Sequence, residues 1–150
     1  FFTRVSSDEG FVALMARTLD GYAAEDFVGV GKLTAVPNNG TVVDVGGGTG
    51  ALLRDVLSQA PSAAGVLLER PEVVDHVVRG NDTLPFDVLA ADMFTDDLPE
   101  ADVYLLSRVL HDWPDADATR ILRNIARSAP DGSILYIVER HVSTTTPGHH

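Results

Sequence analysis

Apolar and polar positions follow two rhythms along this chain. Phe11, Leu14, Met15, Thr18, Leu19 and Tyr22 recur at helical spacing, which predicts an amphipathic helix over 8–25. The stretch GVGKLTAVPNNG that follows is rich in Gly, Pro and Asn and predicts a loop. Short apolar runs then alternate with helical patterns. Strands are predicted over 41–45, 65–69, 86–90, 102–107 and 133–140, and helices over 49–59, 71–78 and 114–128. Leu52, Leu53, Val56 and Leu57 form the inner face of the first of these helices, and Ala118, Ile121, Leu122 and Ile125 that of the last. Pro71 sits where a first helical turn tolerates proline.

Several of these strands are apolar almost throughout, so both of their faces must be covered. Strands alternating with helices then mean a parallel sheet in an α/β, doubly wound, Rossmann-like domain. Such sheets bind ligands at the carboxyl ends of their strands, where the winding reverses. The first strand ends at Asp44-Val45-Gly46, so the reversal is expected there. Residues 1–40 form a helix and loop leading in, 41–140 the ligand-binding domain, and 141–150 a loop or cut end. Phe1 opens the chain without a methionine and the polar STTTPGHH closes it, so both ends of the 150 residues are expected to be cut. No metal role is assigned to His149 or His150.

Composition narrows the ligand. The net charge of −11 repels polyphosphate, so nucleic acid is not an expected partner. Without cysteine there is no disulfide frame or thiolate metal site, which suits a cytoplasmic location. No apolar run reaches the roughly 18 residues of a membrane span, and no membrane partner is expected.

The chemistry starts at VVDVGGGTG, residues 42–50. Glycines let a backbone take positive φ and approach a ligand closely, and the helix behind them offers free N–H groups. Dinucleotides use such a loop for a pyrophosphate, and S-adenosylmethionine sets its methionyl group beside it. In Gly46-x-Gly48-x-Gly50 the third glycine comes one residue earlier than in G-x-G-x-x-G, and no Lys-Ser/Thr follows as in a P-loop. Asp44 is expected to anchor the loop by accepting its N–H groups, the alternative being contact with a ligand's amino group. Glu69 ends the second strand about 20 residues on, where a carboxylate accepts ribose hydroxyls. Arg70 beside it keeps a 2′-phosphate, and thus NADP, open.

Three further stretches bear on the ligand: AADMF with Asp92, Met93 and Phe94; LLSRVLHDWPDADATRILRN with His111-Asp112-Trp113-Pro114; and ILYIVER with Glu139. In this order, with VVDVGGGTG and LERPEVV, the chain resembles the S-adenosylmethionine-dependent O-methyltransferases of the plant caffeate and isoflavone type, and most of all their bacterial relatives in natural-product synthesis. The resemblance covers about residues 40–140, and its His-Asp-Trp stretch is more specific than its glycine loop.

The resemblance implies a class I methyltransferase sheet, S-adenosyl-L-methionine as cofactor, a small aromatic acceptor and a homodimer of the full-length protein. It sets Gly46, Gly47 and Gly48 against the methionyl part, Glu69 on the ribose, Asp92 on the adenine edge and Met93 on its face, with Phe94 and Trp113 lining the pocket. Glu69 stands where the family usually carries Asp. Ser107 stands where plant members carry Lys, and either it or Arg108 would hold the cofactor carboxylate. His111 matches the general base and Glu139 the acid that orients it; Asp112 either joins them or caps the helix starting near Pro114. Met15 is a loose match to a substrate-touching residue. A phenol is a poor nucleophile at neutral pH, having a pKa of about 10, and a neutral imidazole can take its proton as the bond to carbon forms. The alternatives are a relative that binds the same cofactor for non-methylating chemistry such as hydroxylation, an NAD(P)-dependent oxidoreductase, and a domain that binds no ligand.

Overall fold

A computed structural model of the protein describes residues 27–80 and 83–139. The expected helix over 8–25 with Phe11 and Met15, and the tail with His149 and His150, lie outside the described residues.

The elements run β1 (Thr41–Val45), α1 (Ala51–Gln59), β2 (Ala64–Glu69), α2 (Pro71–Arg79), β3 (Asp87–Ala90), β4 (Val103–Ser107), α3 (Asp115–Ser128) and β5 (Ile134–Val138). The expected strands and helices recur with their ends moved by at most two residues. The loop before β1 holds a short 3-10 turn, Val30–Leu33, which packs on α1: Gly31 donates to the Asp55 carboxylate at 2.7 Å.

All five strands are parallel, in the order β3-β2-β1-β4-β5. β1 and β4 lie at the centre and are buried nearly end to end, while the edge strands β3 and β5 are partly exposed. That is why the central strands are apolar at nearly every position, Asp44 and Ser107 being the buried polar residues that break the rule. On one face Val42, Leu67, Val103 and Leu105 pack against Leu52, Leu53 and Val56 of α1 and Val77 of α2. On the other Val43, Val45, Tyr104 and Leu106 pack against Ile121 and Ile125 of α3. The chain therefore winds to one side of the sheet from β1 to β3 and to the opposite side from β4 to β5. The reversal falls between β1 and β4, where the glycine loop leaves β1 and the His111 turn leaves β4.

Candidate active site

The glycine loop is built by left-handed backbone. Gly46, Gly48 and Gly50 have φ of 68°, 61° and 80°. This delays the start of α1 to Ala51, two residues later than expected, with Gly50 as an N-cap lacking a side-chain bond. A Cβ on Gly50 would meet the Phe86 ring at 2.5 Å, one on Gly46 would meet Val109 at 3.1 Å with the Met93 sulfur at 3.8 Å, and one on Gly48 would meet nothing within 4 Å. Gly50 is thus bare for packing, and Gly48 is bare on an open side.

Asp44 does not anchor this loop as expected. It is fully buried, and neither carboxyl oxygen has a hydrogen-bond partner among the described residues. Gly47 lies directly over it, so close that a Cβ there would collide with the carboxyl group. The anchor is Glu69 instead: Oε1 accepts the Gly48 N–H at 3.1 Å and Oε2 the Arg70 N–H at 2.9 Å. The longer glutamate side chain reaches across the end of β2 to the loop, whereas Asp44 is trapped beneath it. Burial first, and then the neighbouring Glu69 charge, push the Asp44 carboxyl up to about 7. The Leu53 N–H in the first turn of α1 acts in the opposite sense without completing a hydrogen bond of ordinary geometry. Burial also raises Glu69, offset in part by the two N–H groups it holds.

Beyond β3, residues 92–96 close a tight turn. Asp92 Oδ1 accepts the Phe94 N–H at 2.8 Å, and Asp96 Oδ2 accepts the Asp92 N–H at 2.8 Å. Met93 is thereby brought beside Gly46. Trp113 packs edge-on against Phe94, with ring centroids 4.7 Å apart.

After β4 the chain passes Ser107, whose buried hydroxyl has no partner among the described residues, and Arg108, a non-glycine residue at φ 54°. That kink turns the backbone into the 3-10 turn Leu110–Asp112. Glu139, just past β5, grips this turn twice: Oε1 accepts the Leu110 N–H at 3.1 Å and Oε2 meets His111 Nδ1 at 2.8 Å. A carboxylate only accepts, so Nδ1 carries a proton, and in the neutral form of the ring the lone pair lies on Nε2. The Asp112 Oδ1 lies 3.4 Å from Nε2. Asp112 does not cap α3, whose N-cap is Pro114 with no side-chain bond, because the turn aims its carboxylate back at the imidazole. His111 is half exposed.

The sheet thus brings Asp44, Gly46, Gly47, Gly48, Glu69, Met93, Ser107 and the His111–Glu139 pair to one carboxyl edge. Two residues escaped sequence reasoning. Val109 closes on Gly46, and Asn124 in α3 is buried and donates to the Met93 and Asp96 carbonyls, each at 2.9 Å. Asn124 did leave a trace, as a polar residue three positions from Ile121 on the core-facing stripe.

A family model described as an O-methyltransferase domain matches residues 2–149. The chain belongs to the O-methyltransferase domain family. One relative, the mitomycin biosynthesis 6-O-methyltransferase of Streptomyces lavendulae, is 43% identical over 102 residues, which is 65% of this chain and 29% of the relative. The human N-acetylserotonin methyltransferase, solved with S-adenosylmethionine, superposes with a TM-score of 0.83 at 29% identity, covering 91% of this chain and 40% of that one. NcsB1 of neocarzinostatin biosynthesis, solved with S-adenosylmethionine and 2-hydroxy-5-methyl naphthoic acid, gives 0.77 at 30% identity, covering 91% and 43%. The chain therefore spans less than half the length of these relatives. Its sheet matches those of the class I methyltransferases, and the family match, rather than the strand order, tells against the oxidoreductase.

The residues of this O-methyltransferase site fit the family's cofactor. Buried oxygens of Asp44 and Ser107 without partners are acceptors suited to a positively charged or N–H-bearing group. The open side of Gly48 allows close backbone approach, and Glu69 keeps lone pairs for hydroxyl groups beyond the two N–H bonds it accepts.

Proposed function

We propose that this chain carries the cofactor site and the catalytic base of an S-adenosylmethionine-dependent O-methyltransferase acting on the hydroxyl of a small aromatic compound. The observation that carries the reading is the Glu139 carboxylate holding His111 Nδ1 at 2.8 Å and the Leu110 N–H at 3.1 Å, which leaves Nε2 as the basic nitrogen beside the switch point of the sheet. It is supported by the cofactor and naphthoic acid bound in NcsB1 and by the natural-product relatives.

When bound, the cofactor supplies an electrophilic methyl group on a positively charged sulfur. Gly46, Gly47 and Gly48 would face its methionyl part, with Asp44 and Ser107 or Arg108 on its charged ends. Glu69 would hold the ribose, Asp92 and Met93 the adenine, and Phe94 and Trp113 would wall the pocket. His111 Nε2 takes the proton of the acceptor hydroxyl. Glu139 keeps the ring in the tautomer that can do so, and its charge, with that of Asp112 near Nε2, stabilises the imidazolium that results. The His111–Glu139 pair favours methyl transfer over non-methylating chemistry, since transfer to a hydroxyl calls for a base at the acceptor. By its resemblance the full-length protein is read as a cytoplasmic homodimer.

The test is methyl transfer by the full-length protein to a hydroxylated naphthoic acid, compared with His111→Ala. The variant is expected to keep S-adenosylhomocysteine affinity and lose about 10²–10⁴-fold in turnover. Equal turnover in the two proteins would remove the base from His111.

A further inference from the structure

The turn over 92–97 would carry the two residues that meet adenine, yet its own strand gives it little support. β3 has four residues, lies at the sheet edge and is largely exposed. The turn is held from the other side of the molecule, by α3. Arg120 stacks over the Phe94 ring at 5.2 Å, Arg127 pairs with Asp97 at 3.1 Å, and the Ser128 hydroxyl accepts the Leu98 N–H at 3.2 Å. The arginines reach the turn from the surface, where such contacts hold weakly.

Asn124 differs from them. Its side chain is 4% exposed, and its Nδ2 donates to both the Met93 and the Asp96 carbonyls at 2.9 Å. Two carbonyl oxygens can be met only by the amide's nitrogen, so the orientation of the group is decided by its partners. Its Oδ1 is left buried with no partner among the described residues, a cost that an apolar residue of like size would not incur. The gain is two bonds to main-chain atoms on either side of Phe94. They fix the carbonyl that follows the Met93 side chain and the residue whose carboxylate accepts the Asp92 N–H.

We propose that Asn124 is a positioning residue of the nucleoside pocket, its amide tying the Met93–Asp96 turn to α3 so that Asp92 and Met93 are held ready for adenine. α3 follows within three residues of the turn bearing His111, so the helix that holds the adenine turn is also next in the chain to the base. The inference rests on the cofactor reading, and it adds a residue that would touch neither cofactor nor acceptor.

The experiment is calorimetric titration of the full-length protein with S-adenosylhomocysteine, for wild type, Asn124→Ala, Asn124→Ser and Ile125→Val. The last removes one buried methyl group from the same helix and serves as a control for plain destabilisation. The expected result is a dissociation constant raised at least tenfold in Asn124→Ala with stoichiometry still near one. Asn124→Ser, which retains one donor, is expected to fall between it and wild type, and Ile125→Val within twofold of wild type. If Asn124→Ala does not fold, the Ser and Val variants decide by the same comparison. An Asn124 variant that binds as wild type does, or an Ile125→Val that weakens binding as much, overturns the inference. A wild-type protein that does not bind the ligand overturns the cofactor reading itself, and this inference with it.

Discussion

At the scale of single residues, the site is a set of carboxylates with different tasks. Glu139 is an orienting group whose two oxygens are both in use. Replacing it with Gln keeps the size but lets an amide N–H face Nδ1, which favours the wrong tautomer. Turnover of Glu139→Gln is expected to fall by about 10²-fold or more, with cofactor affinity unchanged by calorimetry. Asp44 is the opposite case, a carboxyl with nothing to accept. In the unfolded chain it titrates near 3.8, and in the fold near 7. Between these values the folded state holds a proton that the unfolded state has lost, so stability falls as pH rises through that window and the cost is complete above it. Asp44→Asn cannot ionise. The melting temperature of the wild type, relative to that of Asp44→Asn, is expected to drop by several degrees between pH 5 and pH 8, since each tenfold loss of acidity on folding corresponds to about 1.4 kcal/mol. Parallel melting curves across that range would show that Asp44 is already ionised in the fold at pH 5 and that its carboxyl is not raised.

At the scale of elements, the glycine loop separates packing from access. Gly50 and Gly48 both have positive φ, but a methyl group on Gly50 strikes the Phe86 ring while one on Gly48 points into open space. Gly50→Ala is expected to destabilise the fold by about 2–4 kcal/mol through strain and overpacking together, read by urea denaturation. Gly48→Ala is expected to cost about 1 kcal/mol of strain and to lose S-adenosylhomocysteine binding, because the methyl group occupies the side from which a ligand approaches. Equal stability losses with binding intact in both would sink this division of roles. The loop also shows how one element borrows from another: the carboxylate that holds Gly48 comes from the end of β2, and the one that holds the His111 turn comes from the end of β5.

At the scale of the whole molecule, β5 pairs only with β4 among the described residues, and Ile134 and Ile137 on it are 43% and 48% exposed. An exposed apolar edge strand is a template for pairing with another chain. The 150-residue chain is therefore expected to associate as concentration rises, and Ile137→Lys to reduce that association, as followed by sedimentation velocity. Unchanged association in the variant would point to another surface.

What was legible in the sequence follows from local physics. Short apolar runs alternating with period-3.6 patterns determined a parallel doubly wound sheet, because a strand covered on both faces has few polar positions to spare. Glycines between a strand and a helix determined where the ligand edge lies, because they take the left-handed turns found at 46, 48 and 50 without a steric penalty. What the tertiary structure alone decided are contacts between residues distant along the chain. That Glu69 rather than Asp44 anchors the loop depends on how far each side chain reaches across two neighbouring strands. That Asp112 turns to the imidazole rather than to α3 depends on the kink at Arg108. That Asn124 holds the turn bearing Met93 depends on α3 crossing the sheet face beside it. Spacing along a chain records which residues share a face. It carries no record of which buried polar atoms find partners, because that is settled only when separate elements pack.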